Sequence, residues 1–214
     1  MSKKYSISYL ALGDSLTEGI GAASLDRHWV SQYFQHLAHS EHCSFRNLGV
    51  SGMTSRELYS LINIPSFARL IPRSTHITIT TGGCDFIELY ENKSLSFRKL
   101  LTVTRNVLTQ VEQILAHIRT LAPNTKIQFL GFYLPLPAYQ IGEKRAVGFA
   151  QMMNKCYENI GRKFQAELIN PFDIFFRRFD YFIDEVHPNQ AGYDAISQLF
   201  IQSASRKSMV TSIN

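Results

Sequence analysis

The chain has only three cysteines in 214 residues, Cys43, Cys84 and Cys156, and no two of them form a C-x-x-C pair. That excludes a disulfide framework or a zinc finger and points to a reducing compartment. Long apolar runs are also missing. No stretch approaches the roughly 20 residues needed to cross a bilayer. The first twelve residues hold a short apolar run without the small-residue cleavage site of a signal peptide. The expectation is a cytoplasmic protein without stable membrane insertion, in which the sequon Asn92-Lys93-Ser94 carries no weight because glycosylation requires secretion. Charge runs are absent as well. Lys plus Arg number 22 against 17 Asp plus Glu, a net +5, and the densest basic groups are the pairs Lys3-Lys4, Arg177-Arg178 and Arg206-Lys207. Such a surface predicts no nucleic-acid partner and at most weak association with anionic surfaces. There is no Walker A pattern and no G-x-S-x-G elbow, and Gly19-Ile20-Gly21-Ala22-Ala23-Ser24 lacks the third glycine of a dinucleotide fingerprint.

What is present is an ordinary globular composition, 45% hydrophobic and 18% charged with 12 Gly and 7 Pro, which predicts one domain over residues 1–214. Strand-like and helix-like patterns alternate from the start. The β-rich runs are Tyr5 to Leu12, Cys43 to Val50, His76 to Thr81, Lys126 to Tyr133 and Leu168 to Pro171. Between them, helical spacing predicts helices over about residues 25–40, from Thr54 to Asn63, over about 97–121, over 144–168, and from Asn189 to about Ser205. Thr54 with Glu57 makes a capping box, and the two prolines of Leu134 to Ala138 predict a loop. This rhythm implies a parallel sheet with helices on both faces.

Function in such sheets collects where strands end and loops begin. Four exits hold unusual residues: Gly13-Asp14-Ser15-Leu16, Gly49-Val50-Ser51-Gly52, Gly82-Gly83-Cys84-Asp85 and the prolines after the fourth strand. A fifth segment, Asp184-Glu185-Val186-His187-Pro188, precedes the last helix. A serine hydroxyl needs a base to take its proton, and an imidazole needs a carboxylate to fix its tautomer. Ser15, His187 and Asp184 supply those three groups. Each has a plainer role available, Ser15 as a helix cap and Asp184 with His187 as a loop entering a helix capped by Asn189. Their joint placement at the sheet's active end favours chemistry. His36, His39 and His42 drift around the helix axis and read as a polar helix end rather than a metal site.

The stretch Ala11-Leu12-Gly13-Asp14-Ser15-Leu16-Thr17-Glu18-Gly19 resembles the first block of the GDSL, or SGNH, hydrolases. Asn47 to Gly52 resembles their second block, Gly82 to Asp85 their third, and Asp184 to Tyr193 their last, in the family's order. The resemblance implies a flavodoxin-like three-layer α/β/α sandwich around a five-stranded parallel sheet. It further implies Ser15 as nucleophile, Asp184 and His187 completing a triad, and the Gly52 N–H as an oxyanion donor beside that of Ser15. The third block normally carries an asparagine donor, and Cys84 stands there instead. A thiol is a weak donor, so the oxyanion hole is expected to be weaker by up to one donor.

The expectation is a serine esterase acting on carboxylic esters through an acyl-enzyme, with no metal or organic cofactor. The resemblance implies acyl esters as substrates, from acetylated sugars to lysophospholipids and phospholipids. The positive net charge and the aromatic cluster Phe172, Phe175, Phe176, Phe179, Tyr181 and Phe182 favour the lipid-like ones. Core packing is the default role of that cluster, with part of it walling an acyl pocket opposite Tyr133 to Pro137. The alternatives are an acetylesterase of carbohydrates or small molecules, a non-catalytic binder related to the enzymes, and, more distantly, a flavin-binding module.

Overall fold

The computed structural model describes residues 6–92 and 96–211. The pair Lys3-Lys4, the residues Lys93 and Ser94 of the sequon, and the first expected strand residue, Tyr5, lie outside them. The chain runs β1 (Ser8–Gly13), α1 (Ser15–Glu18), a 3-10 turn (Leu25–Arg27), α2 (Trp29–Leu37), β2 (Ser44–Gly49), α3 (Ser55–Ile62) and α4 (Pro65–Ala68). It continues with a second 3-10 turn (Ile71–Arg73), β3 (His76–Thr80), α5 (Gly83–Glu91), α6 (Phe97–Leu121), β4 (Lys126–Leu130) and α7 (Leu136–Lys163). Last come β5 (Ala166–Ile169), α8 (Phe172–Phe175), a third 3-10 turn (Phe179–Tyr181) and α9 (Gln190–Thr211). The five strands pair in parallel in the order β2-β1-β3-β4-β5.

Side-chain alternation along β1 shows how the two layers form. Leu10 and Leu12 point to one face, where they meet Leu58 of α3, Val111 and Ile114 of α6, and Met153 and Tyr157 of α7. Tyr9 and Ala11 point to the other, against Trp29 and Tyr33 of α2 and Tyr193 and Phe200 of α9. Strands apolar on both faces belong in the centre of a parallel sheet. Trp29 and Phe200 stack with centroids 4.5 Å apart.

Several boundaries differ from the sequence expectation, each for a local reason. The helix expected from residue 25 begins at Trp29, because His28 adopts an extended conformation and leaves 25–27 as a separate turn. The expected loop 134–138 is shorter, since Pro137 sits in the first turn of α7, where a missing N–H costs nothing. Gly142, with φ 119°, kinks that helix. The last strand lies earlier than expected, ending at Ile169 ahead of Pro171. Helix α5 has no counterpart in the sequence expectation, because Gly82 enters it in a left-handed conformation and offers no capping side chain.

The capping box at α3 is present, with the Thr54 side chain accepting from the Glu57 amide and Glu57 accepting from the Thr54 N–H at 2.8 Å. Thr54→Ala should therefore cost about 1 kcal/mol, a fall in Tm of roughly 2–4 °C at this size. Urea unfolding checks it, and an unchanged midpoint would mean that tertiary packing alone fixes this helix end.

Candidate active site

β1 ends at Gly13, whose φ of 144° and close approach leave no room for a side chain: a Cβ there would lie 2.2 Å from the Thr80 carbonyl oxygen of β3. The next residue, Asp14, caps α1. Its Oδ1 accepts the Leu16 N–H at 3.0 Å and the Thr80 hydroxyl at 2.7 Å. Burial pushes the Asp14 carboxyl above its usual range, and those hydrogen bonds work against the rise. Ser15 then opens α1, so its N–H belongs to the first turn, which has no acceptor within the helix.

The segment 184–188 brings the other candidates to it across the chain. His187 Nε2 lies 3.0 Å from Ser15 Oγ, and His187 Nδ1 lies 2.7 Å from Asp184 Oδ2. Asp184 Oδ1 accepts the N–H groups of Val186 at 2.8 Å and His187 at 2.7 Å. Partial burial raises the Asp184 carboxyl, but the two amides and the imidazole outweigh it and hold the group below its ordinary value. A carboxylate at Nδ1 leaves Nε2 free to accept the serine proton. The tight turn is itself anchored: Tyr133 donates its hydroxyl to Val186 O at 2.7 Å, and the Leu136 N–H donates to Glu185 O at 2.8 Å. Asn189 caps α9 as expected, accepting the Gly192 N–H at 3.2 Å.

The aromatic cluster divides between roles. Phe172 and Phe175 are buried core, Phe175 stacking on Tyr133 at 4.6 Å. Phe179 is exposed. Tyr133, expected on a pocket wall, acts as the strut of the Asp184–His187 turn, a contact across 53 residues that no local pattern announces.

Gly52 lies between β2 and α3 with φ 79°. Burial raises the Cys84 thiol to about 12, with the charges of Asp14, Asp85 and Glu57 adding to it, so the group is a neutral thiol. Asp85 accepts the Ser55 N–H at 2.9 Å and its hydroxyl at 2.8 Å, which ties the start of α5 to the start of α3. Among the described residues no three His, Cys, Asp or Glu side chains converge on a metal position.

Residues 11–195 match the model of the GDSL-like lipase/acylhydrolase family. The chain belongs to that family. It is an ester hydrolase of the GDSL type. It is 28% identical over 203 residues to the spore germination lipase LipC of Bacillus licheniformis, covering 90% of this chain and 93% of that one. The lipase Lip_vut3 from a goat rumen metagenome superposes with a TM-score of 0.78 at 25% identity, covering 91% of this chain and 95% of the other. A variant of Axe2, an acetyl-xylooligosaccharide esterase of Geobacillus, shares the fold with a TM-score of 0.70 at 18% identity, over 94% and 95% of the two chains.

His28, outside the family's blocks, is 1% exposed and lies with Nε2 2.9 Å from the Leu16 carbonyl oxygen. Burial lowers it to about 4. The unfolded chain, with an ordinary histidine near 6.5, then binds the extra proton first. Stability should be whole above about pH 6.5 and fall towards pH 4, by roughly 3 kcal/mol from this group. His76, also lowered to about 4 by burial and by Lys126, adds to the fall. Urea unfolding from pH 7 to 4.5 should show this slope, and His28→Gln should flatten it while lowering stability at pH 7. An equal slope in both proteins would contradict the assignment.

Proposed function

We propose that Ser15 is the nucleophile of a carboxylic ester hydrolase, with His187 as general base and Asp184 as the carboxylate that orients it. The observation that carries the proposal is the unbroken chain from Ser15 Oγ to His187 Nε2 at 3.0 Å and from His187 Nδ1 to Asp184 Oδ2 at 2.7 Å. His187 takes the Ser15 proton as Oγ attacks the ester carbonyl. The tetrahedral oxyanion rests on the N–H groups of Ser15 and Gly52, with Cys84 where a third donor would stand. His187 then gives the proton to the leaving alcohol, and the same base activates water to release the acid from the acyl-enzyme. Every step uses the chain's own groups and calls for no metal or organic cofactor. One domain suffices, because Ser15, Gly52 and Cys84 follow strands of one sheet and the loop before α9 brings Asp184 and His187 to them.

Lipid-like esters, including lysophospholipids, are the favoured substrates. Support comes from the lipase names of two relatives and from the exposed apolar side chains beside the proposed triad: Ile20 after α1, Val50 ahead of Gly52 and Ile183 next to Asp184. Acetyl esters of carbohydrates are the second reading, favoured by the fold shared with Axe2. The site needs no nucleic acid and no inserted membrane segment. The cytoplasm remains the proposed location, where weak contact with anionic surfaces is compatible with the net +5 charge.

A series of p-nitrophenyl esters from acetate to octanoate tests this directly. Turnover should persist into the longer chains and vanish in Ser15→Ala. Rates that peak at acetyl and disappear by octanoyl would transfer the assignment to acetyl esters. Asp184→Asn should fold and lose about 10⁴-fold in kcat, because the imidazole loses its tautomer lock. Near-normal turnover in that variant would move the orienting role elsewhere.

Cys84 gives a second test. Cys84→Asn should raise kcat more than it changes KM, since charge on the oxyanion develops only in the transition state. The ceiling is one donor, about 10²–10³-fold. Cys84→Ala should change little. Loss of activity in Cys84→Ala without rescue in Cys84→Asn would mean that the thiol has its own role.

A further inference from the structure

The geometry points to Glu18 as a positioning residue that holds the oxyanion turn in register with the nucleophile. This inference rests on the roles proposed above for Ser15 and Gly52. Glu18 closes the four-residue helix that Ser15 opens, so one turn of chain carries both. The two helix ends are three residues apart and lie on neighbouring positions of the helix surface. Glu18 Oε2 accepts the Ser51 N–H at 2.6 Å.

That amide lies inside a tight turn. The Met53 N–H donates to Val50 O at 3.1 Å, Gly52 has φ 79°, and Ser51 is not among the residues with positive φ. Positive φ at the third position alone defines a type II turn. Type I and type II turns differ by a flip of their central peptide, here the one joining Ser51 to Gly52. The N–H of that peptide belongs to Gly52. In the type II form that N–H is the one assigned above to the developing oxyanion. A flip would turn it away and leave its carbonyl there instead.

The ends of the turn are held by other means. The Val50 N–H donates to Gly13 O at 2.9 Å, continuing the β1–β2 ladder, and Asp85 grips Ser55. The Glu18 carboxylate holds the peptide immediately before the one that flips. Its reach is set by close packing: a Cβ on Gly49 would lie 2.1 Å from Glu18 N, so the backbone of α1 rests directly on the end of β2. Glu18 is itself exposed and contributes little apolar burial, so its effect should appear in turnover rather than in folding.

Kinetics on a p-nitrophenyl ester turned over by the wild-type protein, with Glu18→Ala and Glu18→Gln, test the inference. Glu18→Ala should lose roughly 10–10²-fold in kcat, within the worth of one oxyanion donor, at nearly constant KM and unchanged Tm. Glu18→Gln keeps a side-chain oxygen to accept the Ser51 N–H and should recover most of the loss. The Gly52 amide should exchange hydrogen faster in Glu18→Ala than in Glu18→Gln. Wild-type kcat in Glu18→Ala, a change confined to KM, or equal loss in the alanine and glutamine variants would overturn it. Should Glu18→Ala fold poorly, Glu18→Gln decides alone, since a loss in kcat there as large as a donor is worth would refute the acceptor role. Failure of the wild-type protein to cleave any ester would instead count against the proposed function.

Discussion

A helix of four residues cannot hold itself together, because nucleation costs more than one hydrogen-bonded turn returns. The position of α1, and with it of Ser15, is therefore set by side chains from elsewhere in the fold. The Leu16 carbonyl accepts from Trp29 Nε1 at 2.6 Å and lies 2.9 Å from His28 Nε2. The Thr17 carbonyl accepts from Asn47 Nδ2 at 2.7 Å. On the sheet side, Thr80 donates to the capping carboxylate of Asp14. These clamps come from α2, β2 and β3, so the hydroxyl is located by three separate elements. Its partner His187 is fixed independently, through the Asp184 turn and the hydroxyl of Tyr133.

The buried polar groups in this arrangement are coupled to one another. Asp14 is almost fully buried, which raises its carboxyl, yet its hydrogen bonds to Leu16 and Thr80 partly compensate. Its charge also raises the Cys84 thiol, second to burial. A neutral thiol at this position is compatible with an oxyanion hole built on backbone amides. It does not make a second nucleophile, because the thiolate is the reactive species.

The parts of this architecture that are written locally were legible in the sequence. The β-branched run His76 to Thr81, the Thr54–Glu57 capping box and the long amphipathic stretch 97–121 all appear within a residue or two of expectation. The GDSL blocks named Ser15, Asp184 and His187, and the structure brings those three side chains into hydrogen-bonding contact. What escaped has long-range causes. Tyr133 and Val186 are 53 residues apart, and Glu18 and Ser51 are 33 apart, so no periodicity or cap signals either contact. Helix α5 escaped for the opposite reason, since its entry through a left-handed Gly82 leaves no capping side chain to read.

The central claim is that Ser15, and no other side chain, forms the covalent intermediate. The most direct measurement is to react the protein with a fluorophosphonate and locate the adduct by peptide mass spectrometry. The account predicts one phosphonyl group per chain, on Ser15, with labelling lost in His187→Ala. An adduct on Cys84, or none at all on a protein that still turns over esters, would contradict it.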